Sequence, residues 1–390
     1  MQRIYLDSAS TTPLDSRVRG RMLPYLCEHY GNPSSIHSFG QLTKNALEDA
    51  RETVARLIGA KPSEIIFTSG GTESDNLAIK GVALATLGKR KHLVSSTLEH
   101  KAVLESLEWL RQKLGFEVDY IGHDTKGRID LDDLRKKIRP GETALISIMH
   151  ANNELGNLNP IPEIARFARD TGTILHTDAV QSVGKIPVNV SELGADLLSL
   201  SAHKFCGPKG IGALFVRQGT LLEPLLHGGS HERNRRAGTE DVASAVGLAE
   251  ALRLAIKEQG ELQEHILRLR KTFLATLGRV CPNYKLNGDA ENALPHILNI
   301  SFDLSENQKL ASDVFLLALD AEGLAVSSGS ACTSGAPKPS HVLLALGCKE
   351  DEARTSIRVS FSKQNTMEES DAAARIIGNV LTRLRQNRLH

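Results

Sequence analysis

Lys204 lies in Ser201-Ala202-His203-Lys204-Phe205-Cys206-Gly207-Pro208, directly after the apolar run 195–200. A lysine at the end of a buried strand is poorly solvated. Burial disfavours the ammonium, lowers the pKa and makes the amine nucleophilic enough for a Schiff base. Asp178, in His176-Thr177-Asp178-Ala179-Val180-Gln181, follows a second apolar run. A carboxylate there is costly unless it meets a cation or hydrogen-bond donors. A Schiff-base lysine, a carboxylate for a pyridinium nitrogen and donors for a phosphate are the requirements of pyridoxal 5'-phosphate. The phosphate donors are sought in Thr68-Ser69-Gly70-Gly71-Thr72-Glu73-Ser74-Asp75-Asn76, where a strand gives way to a helix. Glycines there allow close approach, free N–H groups at the helix start suit an anion, and Thr72 adds a hydroxyl. The same residues also fit a plain helix cap, with Thr72 and Asp75 as a capping box. Gln181 is a candidate donor to the cofactor's phenolate oxygen.

Further candidates sit at other strand ends. His100, in Thr97-Leu98-Glu99-His100-Lys101, has the chemistry to stack on a flat ring and shuttle protons near neutral pH. Asn153, in His150-Ala151-Asn152-Asn153-Glu154, is placed to bind a substrate carboxylate or a ring oxygen, or simply to shape a turn. Arg358 interrupts the apolar run 357–361, and a substrate carboxylate is its natural bidentate partner. Cys332 lies in Ser328-Gly329-Ser330-Ala331-Cys332-Thr333-Ser334-Gly335, a small, polar, Gly/Pro-punctuated stretch expected to be a mobile loop over about 327–340. A cysteine there is accessible, and its thiolate needs an activating neighbour to react. His227 and His231 have a helical metal spacing, but glycines intervene and His-Glu-x-x-His is absent, so no metal site is expected.

The elements that must position these residues follow from periodicity. Apolar runs at 65–68, 92–95, 118–121, 144–148, 173–176, 196–199 and 213–216 alternate with helical patterns such as 102–114 and 161–169. This rhythm predicts an α/β fold with a mostly parallel seven-stranded sheet covered by helices on both faces, and ligands beyond the carboxyl ends of its strands. Residues 243–278 read as one long charged helix leading to a second, smaller α+β unit. That unit has strands near 297–302 and 357–361 and helices near 311–322 and 367–385. The expected division is a large domain over 15–260 and a small one made of 1–14 and 261–390.

The chain has 390 residues, 41% apolar and 24% charged, with a formal net charge of +1. Nothing in that balance points to nucleic acid or an anionic membrane. No apolar run reaches the roughly 18 residues that span a bilayer. The first residues read as neither a signal peptide nor a transit segment. Five scattered cysteines without Cys-x-x-Cys argue for a reducing compartment, and the protein is expected in the cytoplasm.

Taken together, the motifs resemble the NifS/IscS-type cysteine desulfurases, in the class V branch of fold-type I pyridoxal-phosphate enzymes. The resemblance runs over essentially the whole chain. It rests on Gly31-Asn32-Pro33-Ser34-Ser35, the Thr72 turn, Glu99-His100-Lys101, Asn152-Asn153-Glu154, Asp178 with Gln181, Ser201-Ala202-His203-Lys204 and Ser328 to Ser334. It implies that Lys204 holds the cofactor and carries the α proton, His100 stacks on the ring, Asp178 pairs with the ring nitrogen and Gln181 with the phenolate. It assigns Gly71, Thr72, Ser201 and His203 to the phosphate, joined by Thr239 from the partner of a homodimer. Asn153 and Arg358 orient the substrate carboxylate, and Cys332 accepts sulfur from L-cysteine, leaving L-alanine. The persulfide would pass to an acceptor such as an iron–sulfur scaffold. Where the family has an aromatic residue or Asn after Leu6-Asp7, this chain has Ser8. The alternatives are a selenocysteine lyase, another class V lyase or aminotransferase, and a catalytically inactive assembly homologue.

Overall fold

A computed structural model describes residues 3–302, 312–328 and 339–386. Its strands, in chain order, are β1 (Ile4–Tyr5), β2 (Ile65–Thr68), β3 (His92–Ser96), β4 (Glu117–Ile121), β5 (Thr143–Ser147), β6 (Ile174–Asp178), β7 (Leu197–Ser201), β8 (Gly212–Val216), β9 (Tyr284–Asn287), β10 (Ile297–Phe302), β11 (Leu324–Ala325) and β12 (Ile357–Ser360). Seven of them form one sheet in the order β2-β8-β7-β6-β5-β3-β4, with β8 antiparallel to both neighbours and the other pairings parallel. These are the seven runs that the apolar pattern marks. A sheet covered on both faces buries alternate residues equally, so its strands read as continuous apolar runs. Strands β2, β3, β5, β7 and β8 are buried at every position.

Two apolar layers cover the sheet. On one face pack the helices Ser38–Ile58, Ile161–Asp170 and Val242–Lys257, through residues such as Val54, Ile164 and Leu252. On the other pack Gly71–Ala85 and Lys101–Leu114, through Leu77, Val82, Leu107 and Leu110. The order of the strands makes β6 and β7 central, and their register pairs Asp178 with Ser199. Asp178 and Ser201 therefore emerge together at the carboxyl ends of adjacent strands.

A second, antiparallel sheet has the order β12-β10-β9. The helices Gln259–Val280 and Met367–Gln386 pack on it, with Phe273, Leu277, Ala373 and Ile377 in their shared core. Ile4 and Leu6 join that core, and β1 pairs with β11 in parallel. The expected single helix over 243–278 is instead two, Val242–Lys257 and Gln259–Val280, divided at Glu258. Glu258 leaves helical geometry at φ −93° and ψ 2°, and its carboxylate accepts from Arg17 Nη1 at 2.5 Å. Gly260, two residues on, is the one local sign of the break, and this tertiary contact and the change of packing partner complete it.

The segment after β8 returns to the first sheet through a buried ion pair. Arg51 Nη1 and Nη2 each lie 2.7 Å from a Glu232 oxygen, and the Phe67 amide donates to the same carboxylate at 2.9 Å. Glu232, Arg233 and Asn234 adopt φ values of 44°, 55° and 64°, left-handed geometry that non-glycine residues hold only where contacts enforce it. Removing one partner leaves an uncompensated buried charge. Arg51→Ala is expected to destabilise the fold by about 3–5 kcal/mol in denaturant unfolding. Arg51→Lys should recover only part of this, because an ammonium does not reproduce the two-pronged contact. Unchanged midpoints in both variants would show that the pair is dispensable.

Candidate active site

The carboxyl ends of β6 and β7 open into a cavity of about 310 Å³ between the two sheets. It gathers Gly71, Thr72, His100, Asn153, Asp178, Gln181, Ser201, His203, Lys204 and Arg358. These are ten of the twelve residues singled out from the sequence. Of the other two, Thr239 is exposed and does not line the cavity within this chain. Cys332, with residues 329–338, lies outside the described residues.

Lys204 follows β7 in a single 3₁₀ turn, Ala202–Lys204. Its Nζ donates to the carbonyls of Ala9 at 2.7 Å and Ser10 at 2.8 Å. Burial, reinforced by the positive charge of Arg358, pulls its pKa down to about 8, although Asp178 and Asp7 act in the opposite direction. Asp178 Oδ1 accepts from the Val180 amide at 2.9 Å. Burial raises the pKa of this carboxyl, and nearby His100, the Val180 N–H and Lys204 offset part of the rise. A cationic donor delivered by a ligand would relieve the remaining cost of this buried carboxyl beside the cavity.

His100 caps the helix Lys101–Leu114, its Nδ1 accepting from the Ala102 amide at 3.2 Å. That contact leaves Nε2 as the protonated nitrogen of the neutral ring, and burial lowers the ring's pKa. Gln181 Nε2 donates to Ala9 O at 2.9 Å.

At the opposite end of the cavity, the helix Gly71–Ala85 begins without any side-chain cap. The capping-box reading of Thr72 with Asp75 does not hold. Asp75 is buried within the helix, and Glu73 accepts from the Ser69 amide at 2.7 Å instead. The first-turn N–H groups are thus free to meet an anion, beside Ser201 and His203. Gly70 sits at φ 146°, and a Cβ at Gly71 would stand 2.8 Å from Val180 Cγ2, so the turn requires glycine at both places. Burial and the neighbouring Lys204 lower the His203 pKa to about 4, which keeps that ring neutral at physiological pH.

Arg358 crosses from β12 with its side chain buried. Nη1 donates to Asn153 O at 2.8 Å, and Nη2 donates to Asp7 Oδ1 at 2.9 Å and Ser10 Oγ at 2.5 Å. Both terminal nitrogens therefore have protein partners, which an isolated strand sequence does not reveal. Nε is buried without a hydrogen-bond partner among the described residues and remains as a donor for a ligand carboxylate.

Asp75, Glu154 and His341 line the cavity and Glu99 adjoins the lining residue His100, and none of them was assigned a role from sequence. Asp75 is driven well above the ordinary carboxyl pKa by burial and by the charge of Asp178, and so favours its neutral form. Glu99 accepts the Met149 amide on both oxygens at 3.0 Å, and its carboxyl too is pushed well up by burial. Glu154 accepts from Ser340 Oγ, and His341 faces the same cavity. The signal for Asp75, Glu99 and Glu154 was their place inside the quoted motifs. His341 carried no local signal.

The chain belongs to the class V aminotransferases, a family of pyridoxal-phosphate enzymes: the family model described as aminotransferase class-V matches residues 4–372. Within that class it is of the NifS/IscS type. The cysteine desulfurase IscS of Dictyoglomus turgidum is 50% identical over 384 residues, covering 98% of this chain and 96% of that protein. The cysteine desulfurase IscS of Methanosarcina thermophila is 45% identical, with 98% and 93% covered. Among solved structures, a NifS-like protein superposes with a TM-score of 0.90 at 37% identity, covering 98% of this chain and all of that one. SspA, solved in complex with cysteine, gives a TM-score of 0.80 at 37% identity over 92% of this chain and 98% of that one. The fold is accordingly that of the fold-type I enzymes.

The lowered Lys204 pKa has a direct consequence. The free amine should increase with pH through a midpoint of about 8, well below the ~10.4 of an ordinary lysine. Labelling of Lys204 by an aldehyde followed by borohydride reduction, read by peptide mass, should follow that curve. In Arg358→Met the midpoint should move upward, because a neighbouring cation no longer opposes protonation. A midpoint near 10 in the unaltered protein would contradict this account of the site.

Proposed function

We propose that the protein is a cysteine desulfurase that binds pyridoxal 5'-phosphate, takes sulfur from L-cysteine onto Cys332 and releases L-alanine. The observation that carries this reading is the convergence on one cavity of a lysine of lowered pKa, a buried carboxyl and an uncapped helix start. Relatives at 44–50% identity over 98% of the chain bear the same activity in their names.

The donor set fits the cofactor. Asp178 would face the ring nitrogen, Gln181 the phenolate oxygen and His100 the ring's flat side. Gly71, Thr72, Ser201 and His203 would hold the phosphate, with Thr239 contributed by the partner in a homodimer. When bound, the cofactor supplies an electron sink next to the substrate's α carbon. Lys204 would hold it and would carry a proton at that carbon. Arg358 Nε and Asn153 would hold the substrate carboxylate and so fix the substrate's orientation. The Cys332 thiolate attacks the substrate sulfur: an S–S bond forms, the Cβ–S bond breaks, and Cβ gains a proton as alanine is completed.

A division into a large unit over 15–260 and a small one of 1–14 and 261–390 would let the part bearing Cys332 shift against the part bearing Lys204. The sulfur acceptor is proposed to be a protein such as an iron–sulfur scaffold, and the compartment the cytoplasm. Among the described residues no helix is long and apolar enough to cross a membrane.

A single turnover with L-cysteine and no reductant tests the reading. One added sulfur on Cys332, with alanine in equal amount, is the expected result by intact mass and amino-acid analysis. Lys204→Ala should abolish both products and the cofactor's near-visible absorbance. Cys332→Ala should keep the absorbance and yield no protein persulfide. Alanine without a sulfur adduct would favour a lyase, and no alanine from cofactor-loaded protein would exclude the desulfurase.

A further inference from the structure

Buried polar atoms are nearly always hydrogen-bonded, so each exception in a cavity wall asks for a ligand. Three lining residues carry such an atom among the described residues: Asp75 Oδ1, His341 Nδ1 and Arg358 Nε. Arg358 Nε suits a substrate carboxylate. Asp75 lies 3.6 Å from His176 Nε2 within the protein's own polar network. His341 is the one that the proposed reaction leaves unused.

His341 opens the short helix His341–Ala345. Its Nε2 lies 3.0 Å from the carbonyl oxygen of Glu99. A carbonyl only accepts, so Nε2 carries the proton, and in the neutral ring Nδ1 is a bare lone pair. The ring cannot turn freely to satisfy it. Ser340, immediately before it, is tied to the Glu154 carboxylate and accepts from the Leu343 amide at 3.2 Å.

The ring also lies on the substrate side of the cavity. It lines the cavity together with His100 and Glu154, whereas the recess lined by Ser69, Gly71, Thr72 and Ser201 excludes it. Glu154 adjoins Asn153, whose carbonyl Arg358 holds. An amino acid with its carboxylate at Arg358 therefore meets His341 with some other group. A lone pair at that place accepts from a donor and gives nothing to a methyl group or a second carboxylate.

We infer that His341 is a substrate-recognition residue whose Nδ1 accepts a hydrogen bond from the thiol of bound L-cysteine. This rests on the desulfurase reading for the identity of the ligand. With Nε2 held by the Glu99 carbonyl, Nδ1 orients the S–H and with it the sulfur, and it discriminates against amino acids of similar size that lack a donor at that position.

The experiment compares L-cysteine with L-2-aminobutyrate, which replaces the thiol by a methyl group, in the holoenzyme. Binding constants are read from the cofactor's absorbance by rapid mixing, before turnover. His341→Leu should weaken L-cysteine about tenfold, the loss expected for a buried donor left unpaired, and change L-2-aminobutyrate by less than about twofold. His341→Asn, which restores a side-chain acceptor, should recover part of the L-cysteine affinity. Equal weakening of both ligands would reduce His341 to a structural role, and no change in either would remove it from the site. Should the unaltered holoenzyme produce no alanine, the desulfurase reading fails on its own, while the two-ligand comparison still decides whether His341 recognises the thiol.

Discussion

The structure is organised around the cost of keeping charges out of water at the carboxyl end of a parallel sheet. Asp178, Asp75 and Glu154 are buried around one cavity, with Glu99 buried next to the lining residue His100 and with Lys204 and Arg358 as the facing cations. Isolated ions in such a place are strongly disfavoured. The protein meets the cost in two ways. Some groups move towards neutrality: burial raises Asp75, Glu99 and Asp178 and lowers Lys204 and His100. Others are held by fixed dipoles, as Glu99 is by the Met149 amide and Lys204 by the Ala9 and Ser10 carbonyls. What remains unsatisfied is concentrated on the cavity surface, where a ligand can meet it.

Residues 7–12 make that arrangement possible. They run between the two sheets and bond to both. Ser8 Oγ donates to Phe361 O at 2.5 Å, and the Ala9 amide donates to Ser360 Oγ at 2.9 Å. The Thr12 amide and hydroxyl both donate to His203 O, at 2.9 and 2.8 Å. The same segment supplies the carbonyls that hold Lys204 and Gln181 and the carboxylate that meets Arg358. A stretch with no strong secondary-structure pattern is thus the structural link between the lysine and the arginine. It also explains how Ser8 stands comfortably in the N-terminal motif: its hydroxyl is a buried donor with a defined partner.

The seven strands of the large sheet and most helices were legible because burial on both faces leaves an apolar run, and one-sided burial leaves a 3.6-residue period. Short pieces were not. Strands β1, β9 and β11 are two to four residues long, and β9 is only partly buried, so their pairing is a tertiary decision without a local pattern. The break at Glu258 escaped for the opposite reason, since its one local sign is Gly260 within a stretch otherwise rich in helix formers.

The residue types and spacings in this chain determined the chemistry on offer: an amine after one strand, a carboxyl after the next, glycines at a helix start, an arginine in a strand. They did so because reactive groups in such sheets are local to strand ends. Tertiary structure alone decided how those groups are tuned and shared. It set Lys204 against the backbone of Ala9 and Ser10, committed two nitrogens of Arg358 to Asp7, Ser10 and Asn153, and turned His341 towards the cavity across 242 residues from the Glu99 carbonyl that fixes its tautomer. Burial and charge proximity act through space, and space is what a linear pattern leaves undetermined.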